Sequence, residues 1–492
     1  MKPSLAIALS VCLAIPAYPQ AGEIRGRGQI RGRGQLRAYN PNPGIPAAFN
    51  DLYTFQLTQL TSWTNYVLDQ WSAAGGEYDA NVRQGTELTS VSGLLGVSAA
   101  NTNQAYYDNV VAKQLDAICG QTLVTPSRSI GLGGRVVKFL IGFPLLYPAY
   151  YTFDDGAGHT GPGTPLYNAR LSIYQQAVAG AHARGCTVVA QSQAAGAQGA
   201  SINDASLDYF YASLTWSQYK TGRAANIVNV AQLLAPDWIC VSEEPDTEYN
   251  KTGQNYPELI SSDPDFGTNL ISMVTEIRDT LDAAGISGLH TTIRLELGSG
   301  VWVPTSVYNK FVPQYAALSG FEGFELHVHP VNTWVAPPTT SPVSYLQRVI
   351  TMCDLAIANG KSCNFNEQNI DKSRVSEFGL LDPTIIDARS VLSFWRPVDT
   401  TFATGMLALA HWKHGAYVSL SRPQEMFYSI DFASCSQCAC LPYGPSLPQT
   451  CTGSDISTIQ GLSNSGQFAA ISVVPPTLTA YGQAIKSLFG AW

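Results

Sequence analysis

The chain has 492 residues, of which 45% are hydrophobic and 13% are charged, and its formal net charge is −8. This apolar content is enough for one large core or for two to three ordinary domains. The acidic balance argues against a nucleic-acid-binding protein, which presents a basic face, and has the wrong sign for an anionic membrane surface. The low charged fraction, together with 43 Gly and 29 Pro, is typical of a loop-rich secreted protein.

The N-terminus predicts export. Lys2 precedes the apolar stretch SLAIALSVCLAIPA, which is shorter than the roughly 20 residues of a membrane span and fits the core of a signal peptide. We assign residues 1–21 to a signal peptide and 22–46 to a Gly/Arg/Pro-rich linker around the repeat IRGRGQIRGRGQLR. A wall-binding tail is the alternative for the repeat. We therefore expect a secreted protein, extracellular or periplasmic, without a membrane span.

Four cysteines cluster near the C-terminal end in the pattern CSQCAC…C: Cys435, Cys438, Cys440 and Cys451. Their spacing fits two local disulfides or a zinc knuckle. Disulfides are favoured because an exported chain meets an oxidising compartment and the cluster contains no His. The pairing stays open, since four cysteines allow three connectivities. Nine cysteines follow the predicted signal peptide, and this odd number predicts at least one free thiol or intermolecular bond.

From residue 47 onward the chain alternates apolar strands with helices. A first helix is predicted in FNDLYTFQLTQLTSWTNYVLDQW, and strands are predicted in GTELTSVSG, GRVVKFLIGF, CTVVAQS, DWICVSEE, HTTIRLELG, FEGFELHVHP, KSCNFNEQN and AYVSLSR. Because a helix follows each strand, parallel pairing through right-handed crossovers is expected. Residues 47–492 are thus predicted to form a (β/α)8 barrel with an extra N-terminal helix and long βα loops. A doubly wound open sheet is the alternative, but no G-x-G-x-x-G follows the first strand.

The fourth strand ends in a run of acids that the alternation of side chains can sort. In such a barrel the inner face at the C-terminal strand ends builds the site, and successive side chains point to opposite faces. In WICVSEE, Ile239 and Val241 are expected to face the helices. This alternation points Glu244 into the barrel mouth and gives Glu243 the outward position.

The same rule applied to later strands collects further polar side chains at the inner rim: Arg294, Glu296, His327, His329 and Glu367. Arg294 and Glu296 have an alternative role as an ion-paired support. On the seventh strand, an inward Glu367 also turns Cys363 and Phe365 inward and leaves Asn364 and Asn366 against the helices. A β-bulge would resolve this conflict.

The segment SEEPD (242–246) resembles the fourth strand of the clan A-type retaining glycoside hydrolases, a TIM-barrel superfamily. There, strand four ends in Asn-Glu-Pro and strand seven in a glutamate. The resemblance implies that Glu244 is the acid/base and that Glu367, in NFNEQN, is the nucleophile. It also places HVHP at the position of a His or Tyr that lines the cleft. Glu243 replaces the Asn, and AYVSLSRPQ lacks the Trp usual at strand eight, so no individual family is identified.

Two carboxyl groups at a barrel mouth suit the cleavage of a glycosidic bond with retention of configuration. The proton donor must stay protonated near neutral pH, and a charged Glu243 is our hypothesis for what raises the pKa of Glu244. Trp302 and Trp334 follow strands five and six and are predicted to stack on sugar rings. Their alternative role is to plug the space under long loops.

Two other functions remain open at this point. His327 and His329 could share a metal with Glu367 or Glu244 in a metal-dependent hydrolase, although the chain has only seven His and no H-E-x-x-H. A catalytically inactive, carbohydrate-binding barrel would account for Glu243 and for the missing Trp. Our prediction is a monomeric glycosidase that acts on a poly- or oligosaccharide and needs no cofactor or metal.

Overall fold

The computed structural model describes residues 44–491 except 93–96, 98–99, 121–130, 196–204, 246–247, 249–251, 253, 255–267, 287–291, 303–304, 331–341, 374–376, 378–382 and 443–450. The predicted signal peptide, the basic repeat and Trp334 lie outside the described residues. The domain boundaries at residues 21 and 46 therefore stay predictions.

Eight parallel strands close into a barrel in which each strand pairs with its neighbours in chain order and the last pairs with the first. The predicted (β/α)8 barrel is therefore confirmed, and the open sheet is wrong. The strands are Arg83–Glu87 (β1), Val136–Leu140 (β2), Thr187–Gln191 (β3), Trp238–Cys240 (β4), Arg294–Gly300 (β5), Gly323–Val328 (β6), Ser362–Gln368 (β7) and Tyr417–Leu420 (β8).

Helices cover the barrel between the strands. In chain order they are Asn50–Ala73 before β1; Thr89–Ser92, Gln104–Tyr106, the π-helical Tyr107–Val111 and Ala112–Cys119 after β1; Pro148–Tyr151 and Thr164–Ala183 after β2; Ala205–Ser213 and Trp216–Leu234 after β3; Thr268–Ala283, Thr305–Ala316 and Pro342–Ala358 after β4, β5 and β6; Pro383–Ser390 and Arg396–Trp412 after β7; and Gln424–Phe427, Gly453–Ile471 and Ala480–Ala491 after β8.

The outward strand residues are apolar because they pack on these helices. Ile239 and Val241 of the fourth repeat join this outer core, as do Phe324, Leu326 and Val328 of β6. A second apolar cluster fills the lower barrel interior and consists of Val136, Val189, Trp238 and Tyr417. The polar side chains lie above that plug, toward the C-terminal strand ends.

A β-bulge on β7 resolves the conflict that the sequence presents there. Leu326 pairs with Phe365, but His327 pairs with Glu367, so Asn366 is an extra residue. Cys363 and Phe365 pack in the outer core, while Asn364 and Asn366 bond carboxylates inside the barrel. The β-bulge suggested by the sequence is therefore present, and it lets Glu367 face the mouth while Cys363 and Phe365 face the helices.

The extra N-terminal helix packs against the helix that follows β7. Thr64 donates a hydrogen bond to the Thr401 carbonyl at 2.9 Å, and the Trp63 ring lies against Gly405. A Cβ on Gly405 would lie 2.4 Å from that ring and 2.7 Å from the Thr64 hydroxyl. The close contact of the two helices therefore requires a residue without a side chain at 405.

Four disulfides join Cys119 to Cys186, Cys353 to Cys363, Cys435 to Cys438 and Cys440 to Cys451. The two predicted disulfides in the C-terminal cluster are confirmed, and zinc there is wrong. Among the described cysteines Cys240 is free, in accord with the odd number. No helix in the described part of the chain is both long and apolar enough to cross a membrane.

Gly405→Ala is expected to destabilise the protein by about 1–3 kcal/mol, the usual effect of overpacking, despite the higher helix propensity of Ala. Gly461→Ala is the matched control, because Gly461 is also inside a helix and its Cβ would meet no atom within 4 Å. That variant should be unchanged or more stable by up to about 1 kcal/mol. Chemical denaturation measures both. Equal stabilities of the two variants would contradict the close helix contact.

Candidate active site

The acids that crowd the end of β4 have three different positions. Asp237 lies before the strand and contacts His182 at 3.0 Å. Glu243 and Glu244 follow the strand and are buried at the barrel mouth. Glu248 is fully buried behind them. Among the described acids of this segment, the middle pair therefore contributes carboxyl groups to the cleft; Asp246 lies outside the described residues.

Glu248 holds the loop that carries this pair. Its carboxylate forms an ion pair with Arg223 Nε at 2.7 Å, and both side chains are fully buried. Arg223 also donates to the Val241 carbonyl at 2.8 Å, and Ser242 donates to Glu248 at 3.3 Å. The backbone on both sides of Ser242 is thus anchored directly before Glu243, which limits the freedom of the two acids that follow.

Glu244 and Glu367 meet at the mouth of the barrel. His327 Nδ1 lies 2.7 Å from Glu244 Oε1 and 3.8 Å from Glu367 Oε2. One oxygen of each carboxylate and one nitrogen each of His327 and His329 lie within 4.8 Å of one another. The structure therefore brings together the two acids that the sequence predicts as catalytic.

Lys138 on β2 contacts Glu367 at the same oxygen, Oε2, that faces His327. Its ammonium lies 3.2 Å from Glu367 Oε2 and 3.6 Å from Glu87 Oε2, and its side chain is almost fully buried. Burial alone would raise the pKa of Glu367, but the charges of Lys138 and His327 outweigh it and hold that pKa well below its ordinary value. Glu367 is therefore an ionised carboxylate at neutral pH.

The pKa of Glu243 is shifted in the opposite direction to that of Glu367. The Glu243 side chain is buried, its Oε1 lies 3.5 Å from His327 Nε2, and neither carboxyl oxygen has a hydrogen-bond partner among the described residues. Burial raises the pKa of Glu243 well above its ordinary value, and the nearby charges of Lys138 and His327 only partly offset this effect. Strand alternation gives Glu243 the outward position, but β4 ends at Cys240, so alternation does not extend to Glu243 and the residue lies at the rim. The raised pKa of Glu243 argues against the hypothesis that its charge acts on Glu244.

A column of hydrogen bonds supports the site from below. His327 Nε2 lies 3.2 Å from Glu325 Oε1, and Gln191 Nε2 donates to the same oxygen at 3.1 Å. The Tyr417 hydroxyl lies 3.1 Å from Glu325 Oε2 and 2.5 Å from Glu296 Oε1. The contacts with Glu244 and Glu325 raise the pKa of His327 despite its burial. The imidazole thus lies between two acids in a fixed orientation.

Two residues predicted at the rim lie elsewhere. Arg294 begins β5 at the opposite end of the barrel, is about half exposed and contacts Glu322 at 3.5 Å. Glu296 lies inside the barrel, where it accepts hydrogen bonds from Tyr417 and Asn364. Neither is placed to bind substrate, because β5 continues to Gly300 and both residues belong to its lower half. Glu296 instead has the supporting role considered as its alternative.

His329 and Trp302 lie together beside Glu367. His329 Nε2 is 3.9 Å from Glu367 Oε1, and the rings of His329 and Trp302 are 5.7 Å apart between centroids. Arg348 donates to the Val301 and Trp302 carbonyls. Trp302 is only 9% exposed, so most of its surface packs against protein. In this structure Trp302 packs against His329. This position agrees better with filling the space under a loop than with stacking on a sugar ring.

Sequence reasoning misses several groups of the site: Lys138, Gln191, Glu325, Asn366, Asn369 and Tyr417. A charged Lys138 in the apolar strand VVKFL is the one clear signal, because a lysine inside a strand buried on both faces needs a partner. Strand alternation gives Glu325 the same inward direction as His327, but its depth below the rim depends on strand register. The contacts of the other residues depend on the bulge and on loop paths that no local pattern encodes.

Glu244, His327, His329 and Glu367 also form a set of side chains that could hold a metal ion. The imidazole and carboxylate donors suit a transition metal such as zinc. Lys138 counts against this use, because its ammonium already neutralises Glu367.

Solved structures with similar folds include three carbohydrate-active enzymes. The exo-β-1,4-mannosidase Op5Man5 from Opitutaceae bacterium strain TAV5 is 13% identical with a TM-score of 0.39, covering 80% of this chain and 62% of that one. The GH26 endo-β-1,4-mannanase catalytic domain of Bacillus sp. JAMB-750 is 13% identical with a TM-score of 0.40, at 74% and 81% coverage. The endo-β-1,4-glucanase Xac0029 of Xanthomonas axonopodis pv. citri is 12% identical with a TM-score of 0.37, at 78% and 98% coverage.

No protein-family model matches the chain, and no curated protein matches it by sequence. The three similar structures are a mannosidase, a mannanase and a glucanase. At these identities and TM-scores they carry no argument about activity or substrate, and the chain spans less than two thirds of the mannosidase. The functional conclusion must therefore come from the site.

Glu243→Gln is expected to stabilise the protein increasingly as the pH rises. The raised pKa means that the folded protein keeps a proton that the unfolded chain releases above about pH 4.5, so wild-type stability is lost as the pH rises from there toward the folded pKa. Because Gln cannot ionise, the variant does not undergo this decrease in stability as the pH rises. Unfolding curves at pH 4.5, 6 and 8 measure the difference, with Glu322→Gln as an exposed control. A difference that shrinks with rising pH would contradict a neutral Glu243.

Proposed function

We propose that the protein is a secreted glycoside hydrolase that cleaves a poly- or oligosaccharide with retention of anomeric configuration. The observation that carries the proposal is that one carboxyl oxygen of Glu244 lies within 4.8 Å of one carboxyl oxygen of Glu367 at the barrel mouth, with no gap reserved for a water molecule between these two atoms. Retaining enzymes hold their carboxyl groups about 5–5.5 Å apart, whereas inverting enzymes leave about 6.5–9.5 Å for a water molecule. The disulfides are consistent with an extracellular location.

Glu367 has the properties of the nucleophile. It is ionised because Lys138 and His327 lower its pKa, and its side chain is still 14% exposed, unlike that of Glu325. A carboxylate in this position can attack the anomeric carbon and form a covalent glycosyl intermediate. Lys138 contacts Oε2, which leaves Oε1 for the attack.

Glu244 has the position of the acid/base. Its short hydrogen bond to His327 Nδ1 allows one proton to be shared between the carboxylate and the imidazole. Transfer of that proton to Glu244 prepares it to protonate the leaving oxygen, and the carboxylate that results can then activate water for the second step. Glu325, on the other side of His327, stabilises the imidazole when it carries the charge.

Glu367→Ala should abolish turnover, and azide should restore part of it by forming a glycosyl azide of inverted configuration. Glu244→Ala should spare substrates with activated leaving groups, which need little protonation. A screen on plant and microbial glycans, followed by NMR of the product anomers, measures both outcomes.

Full activity of Glu367→Ala would contradict the proposed nucleophile. If Glu244→Gln kept its activity while Glu243→Gln lost it, the acid/base would be Glu243 and not Glu244. Activity that a chelator removes and Zn²⁺ restores would favour the metal-dependent hydrolase. Polysaccharide binding without product release would favour the inactive, carbohydrate-binding barrel.

Lys138→Met should move the acidic limb of the kcat/KM profile to higher pH. Lys138 is the main charge that lowers the pKa of Glu367, so without it the carboxylate becomes protonated at a higher pH and activity is lost earlier on acidification. A pH–rate profile measures the shift. Lys220→Met is the control, because Lys220 pairs with Glu276 outside the barrel. An unmoved acidic limb would show that Lys138 does not set the charge state of Glu367.

A further inference from the structure

Three polar side chains from three successive strand ends form a chain that leads to Glu367. His329 directly follows β6, Asn369 directly follows β7, and Arg422 lies two residues after β8. The Asn369 amide contacts His329 Nδ1 on one side and the Arg422 guanidinium on the other. On its opposite edge His329 presents Nε2 to Glu367. The direction of these hydrogen bonds decides where the His329 proton lies.

Arg422 determines the orientation of the amide. A guanidinium has only N–H donors, so the atom of Asn369 that faces it must be the oxygen, which accepts from Arg422 Nε at 2.6 Å. The amide nitrogen then faces His329 Nδ1 and donates to it. A ring nitrogen that accepts a hydrogen bond carries no proton, so the proton of the neutral imidazole lies on Nε2.

The guanidinium is itself firmly held. Arg422 contacts Asp371 and Asp387, each at 2.9 Å, and donates to the Ser390 hydroxyl. Its φ of 56° lies in the left-handed region, where the backbone of a residue with a side chain is strained. A strained backbone that is held by several charged contacts is typical of a side chain whose position serves the site.

We propose that Arg422 and Asn369 lock His329 in the tautomer that carries its proton on Nε2, and that this N–H positions the carboxylate of Glu367. This inference rests on the proposed function of Glu367 and assigns its surroundings. Lys138 holds one oxygen of the carboxylate, and His329 Nε2 faces the other at 3.9 Å. Hydrogen bonds of this kind are often long before substrate binds and tighten in the reacting complex.

The same tautomer disfavours metal binding by His329. A metal would need the lone pair of His329 Nε2, but the locked tautomer places a proton there. Moving that proton to Nδ1 would require the Asn369 amide to turn its nitrogen toward the Arg422 donors. The hydrogen-bond chain therefore assigns the His–Glu cluster to acid and nucleophile chemistry.

The test uses ¹⁵N-labelled full-length protein and long-range ¹H–¹⁵N spectra of the histidine rings, with His329→Leu identifying the signals. The wild type should show His329 with a protonated Nε2 and a bare Nδ1. Asn369→Asp should place a proton on Nδ1, because a carboxylate there only accepts. A wild-type His329 with its proton on Nδ1 would overturn the proposal.

Kinetics test the positioning role with two substitutions of similar size. His329→Leu should lower kcat by about ten- to hundred-fold, the scale of one hydrogen bond to a charged group, with a smaller change in KM. His329→Gln, which can still donate, should recover part of the loss. Equal kcat values for the two variants would overturn the role of the donor.

Controls separate the possible failures. His182→Leu, at an exposed His that contacts Asp237, should leave kcat and the His329 signals unchanged. The NMR result does not depend on turnover, so a failure of the hydrolase proposal at Glu367→Ala leaves the tautomer measurable. If the wild-type His329 carried its proton on Nε2 but His329→Leu kept full activity, the tautomer would stand and the positioning role would be overturned.

Discussion

The burial of many carboxyl groups in one barrel is the constraint on which the rest of the site depends. Five of the described acids in the interior and at its mouth belong to the site: Glu243, Glu244, Glu296, Glu325 and Glu367. Lys138 and His327 are the cations in direct contact with members of this group. Because each buried charge loses its hydration and like charges repel, all five cannot be ionised together. The protein solves this problem by giving different charge states to adjacent acids.

The two cations determine which acids are ionised. Against the effect of burial, Lys138 and His327 lower the pKa of Glu367, and His327 and Asn366 lower that of Glu325. Burial raises the pKa of Glu243 and Glu296. The ionised Glu367 is also the acid of this set with a partly open path to solvent. Acids that are pushed toward opposite charge states in one cleft are a general feature of acid/base and nucleophilic catalysis. The charge pattern thus supports the division of roles that we propose.

The support for this pattern comes from side chains that never reach the cleft. Arg223 and Glu248 anchor the loop after β4, and Tyr417 joins Glu296 to Glu325 in the barrel interior. Arg422 and Asn369 orient His329. Each support is a hydrogen-bonded unit with a buried charge, so removing one member leaves the others unpaired. The geometry of the cleft is therefore determined by much of the upper barrel.

The sequence by itself determined the barrel, because eight apolar strands that alternate with helices leave few other ways to bury their surface. It also determined that Glu244 and Glu367 close two strands and that His327 faces inward, since these positions follow from local alternation. Alternation failed where the strand ended or bulged, at Glu243, Asn364 and Asn366. Only the tertiary structure decided those positions, the depth of Glu296 and Arg294, and the contacts of Lys138. Register, bulges and charge pairing depend on residues that are distant in the chain, and no local pattern specifies them.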